Sequence, residues 1–438
     1  MTLVPVSAPG LAVTSRPGRP LSGTVRVDGS KNAALPLLAA AAAIRRPVRL
    51  DNVPDSADVQ LMLALLQRSG CHLARPVADP RAVLLGPVDG RLPVPELPDA
   101  GRIRASYYLV PALLAACGAA RLPWPGGCQI GERGMDEHFK VYAAFGDKVE
   151  VDDDGYQITA TPGGPDRVVI DLPFRSRGAS VAAVLRATVS GHRLLLGNPN
   201  LSPEFTGMLE FLREAGWRAD LTEDTLTIEP PAVPDETTAL AWSVPGDKIE
   251  AGTLACAIAA TGGSGRIEGV RGQDTLPVAE ALNWLGIPAL AELGALVLPG
   301  GAIPSGNPLT ATASLAPGGL DADFEPALIA LAVGLPGTHL FSDAINPGRH
   351  SNLIPQLRAL GARIEELSPT KCRLTGPQHL TGAAVKATDI RTGTALLIAG
   401  LTAHGTTTVT GLDQLQRGHA DLPAKLRALG TDITEASR

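Results

Sequence analysis

Basic residues are not in excess in this chain: 38 lysines and arginines stand against 44 aspartates and glutamates, a formal net charge of −6. A protein that grips nucleic acid needs a basic footprint, so no such partner is expected. Long apolar runs are missing too. The longest, around LPLLAAAAAI, falls far short of the ~18 residues that suggest a membrane-spanning helix. The opening MTLVPVSAPGLAVTSRPGRP lacks the charged head and apolar centre of a signal peptide. No membrane partner is therefore expected, and the cytoplasm is the expected compartment. Cysteines are few. The five of them (Cys71, Cys117, Cys128, Cys256, Cys372) are an odd number without metal-ligand spacing, which fits free thiols in a reducing compartment. His138, His350 and His419 also stand apart, so neither a metal nor a cofactor is expected. The glycines of TGGSG and LPGGAIPSG have no following Gly-Lys-Ser/Thr and predict turns rather than phosphate loops.

What the chain does have is a repeat. Amphipathic stretches that end in a helix-stopping glycine recur at Gly70, Gly146, Gly216, Gly286, Gly361 and Gly430, spaced 69 to 76 residues apart. Near-regular spacing of this kind predicts a sixfold internal repeat. Each unit reads as a short loop, an Ala/Leu-rich helix, a strand such as VRLDNV, HRLLLGN or TTTVTGL, then the glycine-capped helix. With 438 residues, two domains of three α/β units each are expected. The proline- and acid-rich stretch EPPAVPDETTALAWSVPGDK predicts the boundary. Residues 31–240 form the first domain, and residues 1–30 with 241–438 form the second.

The residues before each apolar helix share a chemistry. The starts read GSKNAALP, RIRASYYL, FRSRGASV, GDKIEAGT, LDADFEPA and TDIRTGTA. Five carry a cation (Lys31, Arg104, Arg175 with Arg177, Lys248, Arg391), and the fifth in order carries Asp321 and Asp323 instead. A helix N-terminus already offers unpaired N–H groups and partial positive charge, so a cation there is unfavourable unless an anion arrives to use both. The pattern predicts anion binding.

The stretches GSKNAALPLLAAA, IRASYYLVPALLA, PGGCQIGERGMDEH, TDIRTGTALLIAG and QRGHADLPAKLRALG resemble the enolpyruvyl transferases, in particular their UDP-N-acetylglucosamine branch in peptidoglycan synthesis. The resemblance runs from about residue 12 to the C-terminus. It implies an inside-out α/β barrel fold of two domains, each of three units around a pseudo-threefold axis, with the active site in the cleft between them. It also implies transfer of the enolpyruvyl group of phosphoenolpyruvate to an alcohol with release of phosphate. By the same resemblance Lys31 and Arg133 serve the donor phosphate, Arg391 and Arg417 grip its carboxylate, and Asn32 orients donor and acceptor. A guanidinium fork suits a planar carboxylate. Asp323 is the implied base, Cys128 the implied proton donor and the target of fosfomycin, and Arg349, Asp389 and His138 further cleft residues. A monomer is expected. Cations on both sides of the cleft would repel one another, so the domains are expected to open and to close on their substrates.

Departures from the family pattern gather on the acceptor side. Arg133, Gly134, Met135, Asp136 and Glu137 stand where the family usually has Arg-Pro-apolar-Asp against uracil. Phe174, Arg175, Ser176 and Arg177 stand where it has a lysine and aliphatic residues around Ser-x-Gly-Ala. Pro-Thr-Asp becomes Asp321-Ala322-Asp323, and Asp-Arg-Gly-Tyr becomes Gln416-Arg417-Gly418-His419. Arg104 and Ile345 complete the expected acceptor site. Two added arginines suit a terminal phosphate, which favours a UMP-like acceptor in nucleoside-antibiotic synthesis over UDP-N-acetylglucosamine in cell-wall synthesis. A non-catalytic repeat protein that binds anions in its cleft is the remaining alternative.

Overall fold

The computed structural model describes residues 11–14, 19–87, 92–127, 130, 134–161, 163, 165–233, 235, 237–316 and 318–435. The six glycines mark the repeat as expected. All six have positive φ, between 81° and 103°, and each follows a helix whose last turn it closes. At Gly70, for example, the glycine N–H donates to the Gln67 carbonyl at 3.1 Å and the next N–H, that of Cys71, to Leu66 at 3.1 Å. This paired bond is the Schellman stop, which a side chain at that φ would strain.

Each unit places one small sheet on the outside of the molecule and one helix on the inside. Among the described residues, five sheets have four strands and one has three. In the third unit Arg167–Asp171 and Arg193–Gly197 run parallel, joined by the helix Arg177–Ser190. The hairpin Arg218–Leu221 and Thr225–Glu229 completes that sheet. The inner helices Lys31–Ala43, Val110–Cys117 and Arg177–Ser190 pack on one another, as do Lys248–Ala260, Glu325–Val333 and Ile390–Thr402. Because sheets surround them, these helices are apolar nearly all round, and Ala at their contact faces lets the backbones approach. The run after Lys31 is therefore interior packing. Ala33 through Ala41 are all buried.

Buried apolar side chains form two clusters, one drawn from residues 33–244 and the other from 11–27 with 249–433. The proline-rich linker is only partly a loop. Its Leu240–Ser243 pairs in parallel with Val48–Asp51 of the first unit, and Val244 packs in the first cluster, so the chain passes to the second cluster a few residues beyond 240. Reciprocally, Ser22–Arg26, ahead of the first inner helix, pairs with Ser264–Glu268 of the fourth unit. Two backbone passages thus join the halves, near residues 28–30 and 245–247. No helix among the described residues is long and apolar enough to cross a membrane.

Candidate active site

Five of the six inner-helix starts converge on one cleft of about 490 Å³ between the two clusters. Lys31 opens its helix behind an N-cap, Ser30, whose hydroxyl accepts from the Ala33 N–H at 3.3 Å. Arg177 opens its helix behind Ser176, which caps the Ala179 N–H. Arg391 follows Asp389, whose carboxylate takes the N–H groups of Arg391 and Thr392. Short polar caps fix these chain ends and so fix where each cation stands. Arg104 instead begins a 3-10 turn, Arg104–Leu109, that leads into Val110–Cys117. Lys248 is the exception. It is buried outside the cleft wall, between Glu204 at 3.2 Å and Asp321 at 3.1 Å.

Asp323 lies at the centre. Its two oxygens receive Arg349 Nη2 and Arg391 Nη2, each at 2.8 Å, while Asn32 Nδ2 donates from the opposite side at 3.4 Å. Burial pushes this carboxyl upward, but the Arg391 and Arg349 guanidinium groups outweigh it and hold the group well below the usual carboxylate range. Arg349 is itself anchored by the Ala322 carbonyl and by Asp343 at 3.6 Å. Arg391 turns its other nitrogen to His419 Nε2 at 3.0 Å. Burial, with Arg391 beside it, drives the His419 imidazolium well below its ordinary range, so the ring is neutral and accepts this bond.

The expected residues are brought together with few exceptions. Lys31, Asn32, Arg104, Gly134, Glu137, His138, Phe174, Arg175, Ser176, Arg177, Asp323, Ile345, Arg349, Asp389, Arg391 and Arg417 all line the cleft. Met135 packs into the first core, and Asp136, exposed at the start of its helix, is not among the residues that line the cleft. Cys128 and Arg133 lie outside the described residues. Gly127 and Ile130, close to Cys128 in sequence, both line the cleft, and the Ile130 carbonyl accepts the Gly348 N–H at 3.0 Å from the other half. His138 is buried edge-on to Tyr107 at 4.5 Å. Burial and nearby Arg104 push its imidazolium down to about 3, too weak a base for proton abstraction near neutral pH.

The expectation of a cleft held open by cation repulsion is corrected by its carboxylates. Seven described cations line the cleft, but so do five described carboxylates. Asp58 of the first half bridges Lys31 at 3.4 Å and Arg417 of the second half at 3.0 Å. Arg177 reaches Asp321 across the cleft at 3.4 Å. The two sides attract each other directly, while the remaining positive excess suits anionic ligands. Asp58 went unnoticed in the sequence because it begins an outer helix, where an acid is the ordinary first-turn residue. Only folding carries it to Lys31.

Known proteins repeat this architecture over the whole chain. Residues 15–290 and 348–426 match the family described as EPSP synthase (3-phosphoshikimate 1-carboxyvinyltransferase). The UDP-N-acetylglucosamine 1-carboxyvinyltransferase 3 of Symbiobacterium thermophilum is 35% identical over 421 residues, covering 95% of this chain and 96% of that protein. The UDP-N-acetylglucosamine 1-carboxyvinyltransferase of Pseudothermotoga lettingae is 32% identical over 427 residues, covering 97% and 99%. Among solved structures, the enolpyruvyl transferase NikO from Streptomyces tendae superposes with a TM-score of 0.84 at 28% identity, covering 99% of this chain and 100% of that one. An EPSP synthase from Acinetobacter baumannii, at 16% identity and a TM-score of 0.77 over 98% and 100%, shares the fold. With two three-unit α/β domains facing one charged cleft and relatives matched from end to end, this chain belongs to the enolpyruvyl (carboxyvinyl) transferase family of enzymes.

Proposed function

We propose that the enzyme transfers the enolpyruvyl group of phosphoenolpyruvate to a hydroxyl of a uridine nucleotide, releasing phosphate, and that its preferred acceptor is UMP-like. The observation that carries the acceptor is the loop 174–178. Arg175 and Arg177 flank Ser176 at the cleft wall, at the N-terminus of a buried helix. Forked guanidinium groups beside helix N–H groups suit a terminal phosphate, which carries up to two charges and three acceptor oxygens. Likeness to NikO supports a member of the family other than the cell-wall enzyme. The names of the curated relatives favour the second reading, in which UDP-N-acetylglucosamine is the acceptor.

In either case the residues divide the chemistry in the same way. Lys31 and Arg133 take the donor phosphate, and Arg391 and Arg417 its carboxylate. Asp323 receives the proton of the acceptor hydroxyl as that oxygen bonds to C2 of the donor, while Cys128 supplies a proton to C3. The adduct then returns a C3 proton to the Cys128 thiolate as the C2–O bond to phosphate breaks, which restores the double bond and releases phosphate. Asp323 held by two guanidinium groups is a weak base. A donor carboxylate that draws Arg391 to itself removes one of those contacts and returns basicity to Asp323 when both substrates are in place.

Phosphate release from phosphoenolpyruvate, measured with UMP and with UDP-N-acetylglucosamine side by side, tests the proposal. Changing Arg175 and Arg177 to alanine should raise KM for UMP by at least about tenfold, the loss of roughly 1.4 kcal/mol, with less effect on the donor. Faster turnover of UDP-N-acetylglucosamine, unaffected by the double change, would return the chain to cell-wall synthesis.

A further inference from the structure

The two departures at positions 177 and 321 meet in space. Asp321 is 6% exposed and uses both of its oxygens. Oδ1 accepts the backbone N–H of Asp323 at 3.0 Å, while Oδ2 receives Lys248 Nζ at 3.1 Å and Arg177 Nη2 at 3.4 Å. Lys248 also reaches Glu204 of the first half at 3.2 Å. The row Arg177, Asp321, Lys248, Glu204 alternates in sign and crosses between the halves at each end. Closed, its charges cancel. Pulled apart, Lys248 and Asp321 stay paired within the second half, while Arg177 and Glu204 each lose the partner they reach across the cleft.

We propose that Asp321 is a positioning residue that ties Arg177, on the acceptor side of the cleft, to the loop carrying Asp323. The proposal rests on the reading of this cleft as an enolpyruvyl transfer site. An acceptor whose anionic group engages Arg177 holds the guanidinium between itself and Asp321. Through Oδ1, Asp321 in turn sets the backbone of Asp323. Acceptor recognition and placement of the reacting carboxylate thus become one event, and an acceptor without a well-placed anion gains less from Asp323. A carboxylate serving only as interior ballast would need neither the cross-cleft arginine nor the bond to the Asp323 N–H.

The test combines kinetics and scattering on the full chain. Asp321→Asn keeps an oxygen for the Asp323 N–H and removes the charge that holds Arg177, and Arg177→Met removes the other partner. With UMP and phosphoenolpyruvate, Asp321→Asn should lower kcat by about tenfold without raising KM for UMP, because Arg177 is left more available to the phosphate. The double variant should turn over within about twofold of Arg177→Met alone, since partners in one pair are not additive. Small-angle scattering of the proteins without substrates should show each single variant expanded relative to the parent and the double variant no more so. Unchanged kcat in Asp321→Asn, or losses that multiply in the double variant, overturns the proposal. If the parent transfers to neither UMP nor UDP-N-acetylglucosamine, the transfer reading fails, and the scattering comparison alone decides whether the pair links the halves. Should Asp321→Asn not fold, Arg177→Lys decides: regained kcat relative to Arg177→Met supports the charge link, and no recovery overturns it.

Discussion

Replacing Asp323 with asparagine tests the centre of the site. The change keeps the shape of the side chain and removes the charge that Arg349 and Arg391 share, each at 2.8 Å. General-base catalysis by a positioned side chain contributes about 10²–10⁴-fold, so kcat for phosphate release should fall at least about a hundredfold. KM for phosphoenolpyruvate should fall or stay, because Arg391 is released from Asp323 for the donor carboxylate that it is proposed to grip. Removing one partner of a buried ion pair costs about 3–5 kcal/mol. The low end applies here, since Arg349 keeps Asp343 and the Ala322 carbonyl, and Arg391 keeps His419. At about 2–4 °C per kcal/mol the melting temperature drops by roughly 6–12 °C, which leaves a folded enzyme to assay at room temperature. A thermal melt run beside the kinetics separates the two effects. If Asp323→Asn retains kcat within about threefold, Asp323 is not the base, and the division of labour argued from its two arginines fails.

Three further outcomes follow from the same geometry. Iodoacetamide should modify Cys128 first and stop turnover, because Cys71, Cys117, Cys256 and Cys372 are all buried and burial pushes the Cys71 thiol up to about 11 and those of Cys256 and Cys372 to about 12; peptide mapping that finds another cysteine labelled first, with activity intact, contradicts this. Gly178→Ala would drive a Cβ into the His138 ring and to 2.8 Å from the Tyr107 hydroxyl, so urea unfolding should show a loss of about 1–3 kcal/mol and kinetics a raised acceptor KM; neutral behaviour in both would mean that the loop is looser than described. Burial pushes Glu250 from its ordinary 4.5 up to about 7 despite Lys425 beside it. The folded state then holds that proton more tightly than the unfolded chain, so this contribution to stability is complete below about pH 4.5 and is lost as pH rises through about 7. Glu250→Gln should flatten the fall in melting temperature over that window, and an unaltered slope would assign the proton elsewhere.

Features set by local chain chemistry were legible in the sequence. Gly70, Gly146, Gly216, Gly286, Gly361 and Gly430 mark helix ends because a positive φ is a property of one residue and its neighbours. Lys31, Arg177 and Arg391 announce themselves as cations at helix starts, and Asp323 as the acid where a cation is due. The pairings were not legible. Asp58 meets Arg417 across 359 positions of sequence, Arg177 meets Asp321 across 144, and Leu240–Ser243 leaves an apparent linker to complete the sheet of the first unit. Such distances carry no periodic signal, and one acid at a helix start looks like any other until the fold decides what stands opposite. The sequence alone therefore determined the repeat, the inner helices and most of the cations facing the cleft. Tertiary structure decided which charge neutralises which, and so turned an apparent excess of repelling cations into two halves joined by ion pairs around Asp323, because Coulomb attraction depends on separation in space and on burial, neither of which is written along the chain.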